Sequence, residues 1–330
     1  MREFFLKRFK GEKVITDHSL MENMKKNEEE IKQNPIESVE MSNLDEMKII
    51  EDIEDIEDIE EYGDIVDDNQ NTFAELFIES LEERWKEIDI LMEQISAHED
   101  EEIQNVLCRS TIILLVAHLE GFLKEAAEVL INDVNQFNNF VNLPKAIKKT
   151  HCSSFLSIDK SGKIDDRKLE KLILEFEKLN VKIDISAFLF ENNKNPSPSI
   201  IEKIIYNFGV DDFFRIIHKS KFDIVFENST TETEDLIQEI KIYLQENVNA
   251  YPYGINLEQF GLTKGEAKLK KGESLWKTFL DDLLQHRNKV AHGSIFSNEL
   301  TLNDLKDYKT KVHVLQLIIS LVMFDSGVKK

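Results

Sequence analysis

Apolar positions first organise the chain near residue 73. Phe73, Phe77, Leu81, Trp85, Ile88, Met92 and Ile95 recur at spacings of four, four, four, three, four and three, which predicts a packed helix with one apolar stripe. The next pattern is denser. From Ile103 to Leu130, around STIILLVAHLEGFLKEAAEVL, nearly every position is apolar, so this helix is expected to be buried on most sides. Arg109, His118, Glu120 and Lys124 interrupt it. Charged groups are rarely buried without partners, so these four predict a polar seam facing a cleft or another helix.

Residues 133–200 are less regular. They hold NLPKAIKKTH, a charged helix from Arg167 to Leu179, a short strand expected over Val181 to Phe190, and a break at Asn195-Pro196-Ser197-Pro198. Ser197 or Ser199 can cap the helix that follows through Ile200 to Phe208, and Gly209 ends it. Thr231 or Thr233 precedes a helix through Asn247. Ser274 can cap SLWKTFLDDLLQHRNKVA, and Thr301 with Asp304 forms a capping-box pair before the last helix. Val312, Leu315, Ile319 and Val322 supply one apolar face of that helix. The helices on either side of His292 are expected to be antiparallel neighbours.

Ahead of residue 73 the pattern dissolves. Ile49 to Glu61 reads IIEDIEDIEDIEE, and a period of three drifts about 60° per step around a helix, so no stable apolar stripe forms. The segment reads as low-complexity and disordered by itself, either a solvated tether or an intramolecular mimic of a nucleic-acid backbone. The basic, aromatic Met1 to Lys13 can equally fray or touch a membrane surface or RNA. Charge follows the same division. Of the chain's net −23, residues 1–72 carry 9 basic and 22 acidic side chains, a net of −13. The expectation is an acidic extension over 1–72 and a helical domain over 73–330, with an irregular, mostly helical insertion at about 133–270.

Composition supports helices, since 5 Pro and 11 Gly in 330 residues are too few for an all-β chain of tight turns. Cys108 and Cys152 do not suggest a disulfide framework, and Cys108 is expected to pack as a small apolar residue. The longest apolar runs, Ile112 to Ala117 and Leu317 to Phe324, fall short of the roughly 20 residues that span a bilayer. A soluble cytoplasmic protein, without a membrane partner, is the expectation. Asp159, Ser161, Asp165 and Glu170 sit at calcium-loop spacing, but Ile164 replaces the turn glycine and Lys163 intrudes, so calcium is rejected. The eight histidines show no zinc spacing, and no metal or cofactor is expected. Phosphate-binding and serine-hydrolase signatures are absent.

The remaining chemistry lies in QHRNKVAHGS, residues 285–294. Arg287 and His292 are five apart, about 140° on an ideal helix, but Gly293 is a natural helix stop. Unwinding at Ala291 or His292 would turn both toward one cleft. A permanently charged planar donor beside a titratable imidazole is equipment for phosphodiester cleavage. The alternative is structural: Arg287 caps a helix end and His292 satisfies a buried hydrogen bond.

RNKVAHG, set between two apolar helices, resembles the signature of the HEPN superfamily, in which an arginine and a polar residue precede a histidine. RSTIILLVAHLEGFLKEAA and NPSPSIIEKIIYNFGV are similar to blocks of bacterial HEPN-like nuclease families of the RiboL-PSP and MAE type, so the resemblance covers about residues 75–325. It implies an all-α, HEPN-like helical bundle and metal-independent cleavage of RNA by its own 2′-hydroxyl. Arg287 and His292 would take the catalytic positions, with Asn288 and Glu120 as supporting polar groups. Arg109, Lys124, His286 and Lys289 are candidate RNA contacts. The resemblance further implies a homodimer facing its two motifs together, and a toxin or antiphage effector restrained by an antitoxin or other inhibitor. A basic rim of Lys145, Lys148, Lys149, Lys264, Lys268, Lys270 and Lys271 would suit a structured RNA such as tRNA. The alternative is a catalytically silent module that binds RNA, a nucleotide or a protein.

Overall fold

The computed structural model describes residues 71–157, 163–189, 195–227, 229–263, 274–293 and 300–328. The acidic extension, the 159–162 part of the calcium-like stretch and the lysines at 264–271 lie outside them. Ten α-helices and no strand occur among the described residues: α1 Phe73–Ser80, α2 Lys86–Ala97, α3 Glu101–Phe137, α4 Lys145–Ser153, α5 Asp166–Leu179, α6 Pro198–Asn207, α7 Phe213–Ile217, α8 Thr230–Val248, α9 Leu275–Ala291 and α10 Leu302–Val328. The all-α expectation holds.

The 37-residue α3, about 55 Å long, is the axis of the bundle, and α1, α2, α9 and α10 all pack on it. Its inner face buries Ile112, Leu115, Leu119, Phe122, Leu123 and Leu130. α10 is enclosed almost wholly from Val312 to Phe324, so its apolar composition serves the core. Both α3 and α10 are long and apolar enough to cross a membrane by length and composition, which the shorter uninterrupted runs did not suggest.

The first apolar stripe is real but is not one helix. It runs through α1, a 3-10 turn at Leu81–Trp85 and then α2. Thr72 caps α1, and the buried Asp133 of α3 accepts from the N–H groups of Phe73 and Ala74 at 2.7 and 2.9 Å. A carboxylate at a helix N-terminus meets the positive end of its dipole. Tyr253 donates to the same carboxylate at 2.5 Å. Burial nevertheless holds the Asp133 carboxyl above the usual range.

Other expectations need correction. No strand forms over Val181–Leu189. That stretch is extended through Asp184 and then turns at Ile185–Ala187. Its backbone is satisfied by a side chain: Ile183 N–H donates to Asn135 Oδ1 at 2.7 Å, and Asn135 Nδ2 donates to Ile183 C=O at 2.9 Å. Thr231 and Thr233 do not precede α8 but lie inside its first turn, which starts after Ser229. α9 and α10 each pack chiefly on α3, and between them Tyr308 bridges to Asp282 and rests on Phe279. Ser197, Ser274 and the Thr301–Asp304 pair cap as expected, and Asp165 caps α5 instead of ligating calcium.

The polar seam on α3 divides. His118 faces Trp85 and stacks on it at 5.9 Å between ring centres. Arg109, Glu120 and Lys124 fall on another side, flanking an outward row formed by Ile103, Val106, Ser110, Ile113, Ala117 and Gly121, all exposed. Ile103, Val106 and Ile113 keep 41%, 52% and 39% of their surface in solvent.

Candidate active site

α9 is capped by Ser274, whose Oγ accepts from Lys277 N–H at 3.3 Å. Trp276, Phe279, Leu280, Leu283 and Leu284 face inward, at spacings that define one helical side. The opposite side presents Asp281, Gln285, Asn288 and Lys289. With Leu284 and His292 these residues line an open depression of about 540 Å³.

The helix stops where the glycine predicts. Gly293 takes φ +63°, the left-handed conformation that terminates helices. His292 N–H donates to Asn288 C=O at 2.9 Å, and Gly293 N–H to Val290 C=O at 3.1 Å. The imidazole of His292 is therefore exposed at the helix end, which removes the reading in which it satisfies a buried hydrogen bond. Arg287 is half-buried and stays on its own helical face. Its Nη1 donates to Asn288 Oδ1 at 3.2 Å, so the guanidinium is joined to the depression through Asn288.

A second donor reaches the same oxygen. Asn195 Nδ2, from the segment before α6, lies 3.2 Å from Asn288 Oδ1. Sequence reasoning passed over Asn195 because no periodicity or motif marks a residue just before a proline break. Only the packing of α6 beside α9 brings it there.

The other candidates are elsewhere. His286 lies 3.6 Å from Asp282 and beside the Tyr308 ring, turned toward α10. Burial, followed by the Asp282 carboxylate, pushes the Tyr308 phenol well above its ordinary value. Glu120 accepts from Lys124 at 2.7 Å, one turn along α3. Arg109 donates to Asn105 C=O at 3.3 Å. Lys148 is occupied by Val141 C=O at 2.6 Å and Glu177 at 2.7 Å, so it does not serve as an unengaged member of a basic rim. Both cysteines are free and buried. Burial pushes the Cys152 thiol up to about 11, which suppresses its nucleophilic thiolate. Among the described residues, no group of three or more His, Cys, Asp or Glu is placed to hold a metal.

Chemically, one end of α9 offers a guanidinium, a carboxamide, an ammonium group and an exposed imidazole. That set can donate hydrogen bonds to an oxyanion. Asp281 on the same wall adds an opposing charge.

No curated protein and no solved structure matches the chain. A family model, RiboL-PSP-HEPN, matches over residues 79–228 and 214–323, and these stretches contain the three blocks quoted above. This family associates the helical domain with RNA-related and nuclease function. A bundle built on α3, with its polar helix end at α9 inside the second matched stretch, accords with that match, and the chain belongs to the RiboL-PSP-HEPN family.

Proposed function

We propose that the protein is a metal-independent endoribonuclease whose working groups are Arg287, Asn288 and His292. The observation that carries this reading is the exposed His292 imidazole on the same depression as Asn288, to which Arg287 is bonded. In the proposed step an imidazole takes the proton of an RNA 2′-hydroxyl. The 2′-oxygen attacks the adjacent phosphorus and the P–O5′ bond breaks. The departing 5′-oxygen receives a proton, leaving a 2′,3′-cyclic phosphate and a 5′-hydroxyl. Arg287 offsets, and the Asn288 amide hydrogen-bonds, the charge growing on the phosphoryl oxygens, where interactions that strengthen in the transition state raise the rate.

One imidazole does not readily act as acid and base in the same step, so the proposal includes a homodimer in which two copies supply one histidine each. The outward row of α3 supports it: apolar and small residues recur at spacings of three or four, as on one side of a two-helix seam. Pairing antiparallel about Ile113 would bring Glu102 of each copy opposite Lys124 of the other, a match of charge. Such an enzyme would act in the cytoplasm on structured RNA such as tRNA, as a toxin or antiphage effector, and would need an inhibitory partner between activations.

The test is purified protein with total RNA in excess EDTA, followed by mapping of the new ends. Wild type should leave 2′,3′-cyclic phosphates, and His292→Ala should lower cleavage at least about 10²-fold. Cleavage that requires magnesium, or that survives His292→Ala, refutes the proposal. Asp281 beside the same depression favours a second reading, a catalytically silent binding module, because a carboxylate repels a phosphodiester. That reading predicts protein binding without RNA cleavage.

A further inference from the structure

The orientation of two amides near the helix end can be derived from a single chemical fact. Arginine donates hydrogen bonds and never accepts them. The atom of Asn288 that meets Arg287 Nη1 at 3.2 Å must therefore be its oxygen. Asn195 meets that same oxygen at 3.2 Å, so Asn195 must present its NH₂. With both donors on Oδ1, the NH₂ of Asn288 is the end left over, and among the described residues nothing accepts from it. Asn288 lines the depression beside His292, so this amide is a donor with no acceptor among the described residues.

The mounting of Asn195 is rigid. It precedes the buried Pro196, and Ser197 N–H turns back onto Asn195 C=O at 2.7 Å. Pro198 opens α6 behind a Ser197 cap. Proline fixes its own φ and restricts the residue before it, so the backbone of 195–198 has little freedom. α6 is tied to α9 by Glu202 and Lys277 at 2.8 Å, and Lys277 also lies over the Phe214 ring at 5.0 Å. Asn195 is thereby held against the helix whose end carries Arg287, Asn288 and His292.

We infer that Asn195 is a positioning residue: its amide locks Asn288 so that the Asn288 NH₂ and the Arg287 guanidinium present a joint donor pair to a phosphodiester oxygen. The inference rests on the proposed nucleolytic site but makes a claim about geometry that binding alone can test. Without Asn195, Asn288 keeps one restraint instead of two, and its amide can rotate away from the depression. With Asn195→Asp, a carboxylate would face the Asn288 oxygen. The Asn288 amide would then invert and turn NH₂ toward Arg287, donor against donor.

A double-mutant cycle read by two measurements tests this. The first is the affinity for a 2′-O-methyl RNA oligonucleotide, which cannot be cleaved. The second is kcat on the unmodified RNA. Asn195→Ala should weaken oligonucleotide binding about 5- to 10-fold and Asn195→Asp more, with unchanged unfolding midpoints. In the Asn288→Ala background, Asn195→Ala should change either quantity less than about 2-fold, because its effect passes through Asn288. Asn195→Gln, which keeps the donor, should restore part of the loss. Unchanged affinity in Asn195→Ala, or equal losses with and without Asn288, overturns the inference. Failure of the nuclease reading has a separate signature: wild type and His292→Ala would then be equally inert while the binding cycle still reports on Asn195.

Discussion

Trp85 packs against two imidazoles, stacked with His118 of α3 and 5.3 Å between ring centres from His313 of α10. Four charged groups face His313 from four elements: Glu82 on the 3-10 turn, Asp89 on α2, Lys241 on α8 and Lys309 on α10. Burial dominates and holds this imidazole down at about 4, against an ordinary 6.5. An unfolded chain takes up the proton below 6.5 while the folded one refuses it. Stability is therefore full above that value and is lost as pH falls from about 6.5 toward 4, by on the order of 2–3 kcal/mol. Urea unfolding at pH 7.5 and 5.0 checks this. Wild type should lose about 1–2 kcal/mol more on acidification than His313→Phe, and equal losses would assign the pH dependence elsewhere. His118 is lowered in the same direction by burial. The sequence marked His118 as an interruption in an apolar helix, yet its partner could not be read there, because ring stacking joins positions on separate elements.

At the scale of elements, Asn135 shows how a side chain replaces a strand partner. Both its amide ends engage Ile183, so an extended segment rich in β-branched residues needs no neighbouring strand to satisfy its backbone. Asn135→Ala would leave that N–H and C=O without their partners and should cost about 2 kcal/mol, measured by the urea midpoint with an unchanged slope. No loss would show that water substitutes freely. The caps at Ser197, Ser274 and Thr301 were legible, because capping is local in sequence. The apparent single stripe over 73–95 was not resolved into α1, a 3-10 turn and α2, since apolar spacing records which residues are buried and says little of how tightly the backbone winds between them. The same limit explains α9 and α10: each has an apolar face, but the pattern does not say that both faces rest on α3.

For the whole molecule, the outward row of α3 is the surface on which the proposed assembly rests. It runs from Ile103 to Gly121, about 27 Å along the axis, and isologous contact of this row would make a two-fold dimer. Sedimentation of the protein should give a dimer and Ile113→Glu a monomer of unchanged helix content, because opposed carboxylates would be buried at the centre of the seam. A monomeric wild type would remove the seam and, with it, the shared-histidine mechanism. The amino-acid sequence by itself determined the helical class, the buried character of α3 and the end of α9, because periodicity, capping and a glycine stop act within a few residues. It also marked Arg287 and His292 through their spacing around that stop, and Asn288 through the resemblance to the HEPN motif. Only the tertiary structure decided that Asn195 joins Asn288, that Glu120 turns to Lys124, that His118 and His313 both pack on Trp85, and that one face of α3 remains outside. These relations depend on how separate helices pack, and packing selects neighbours by shape and donor geometry that no single stretch of sequence carries.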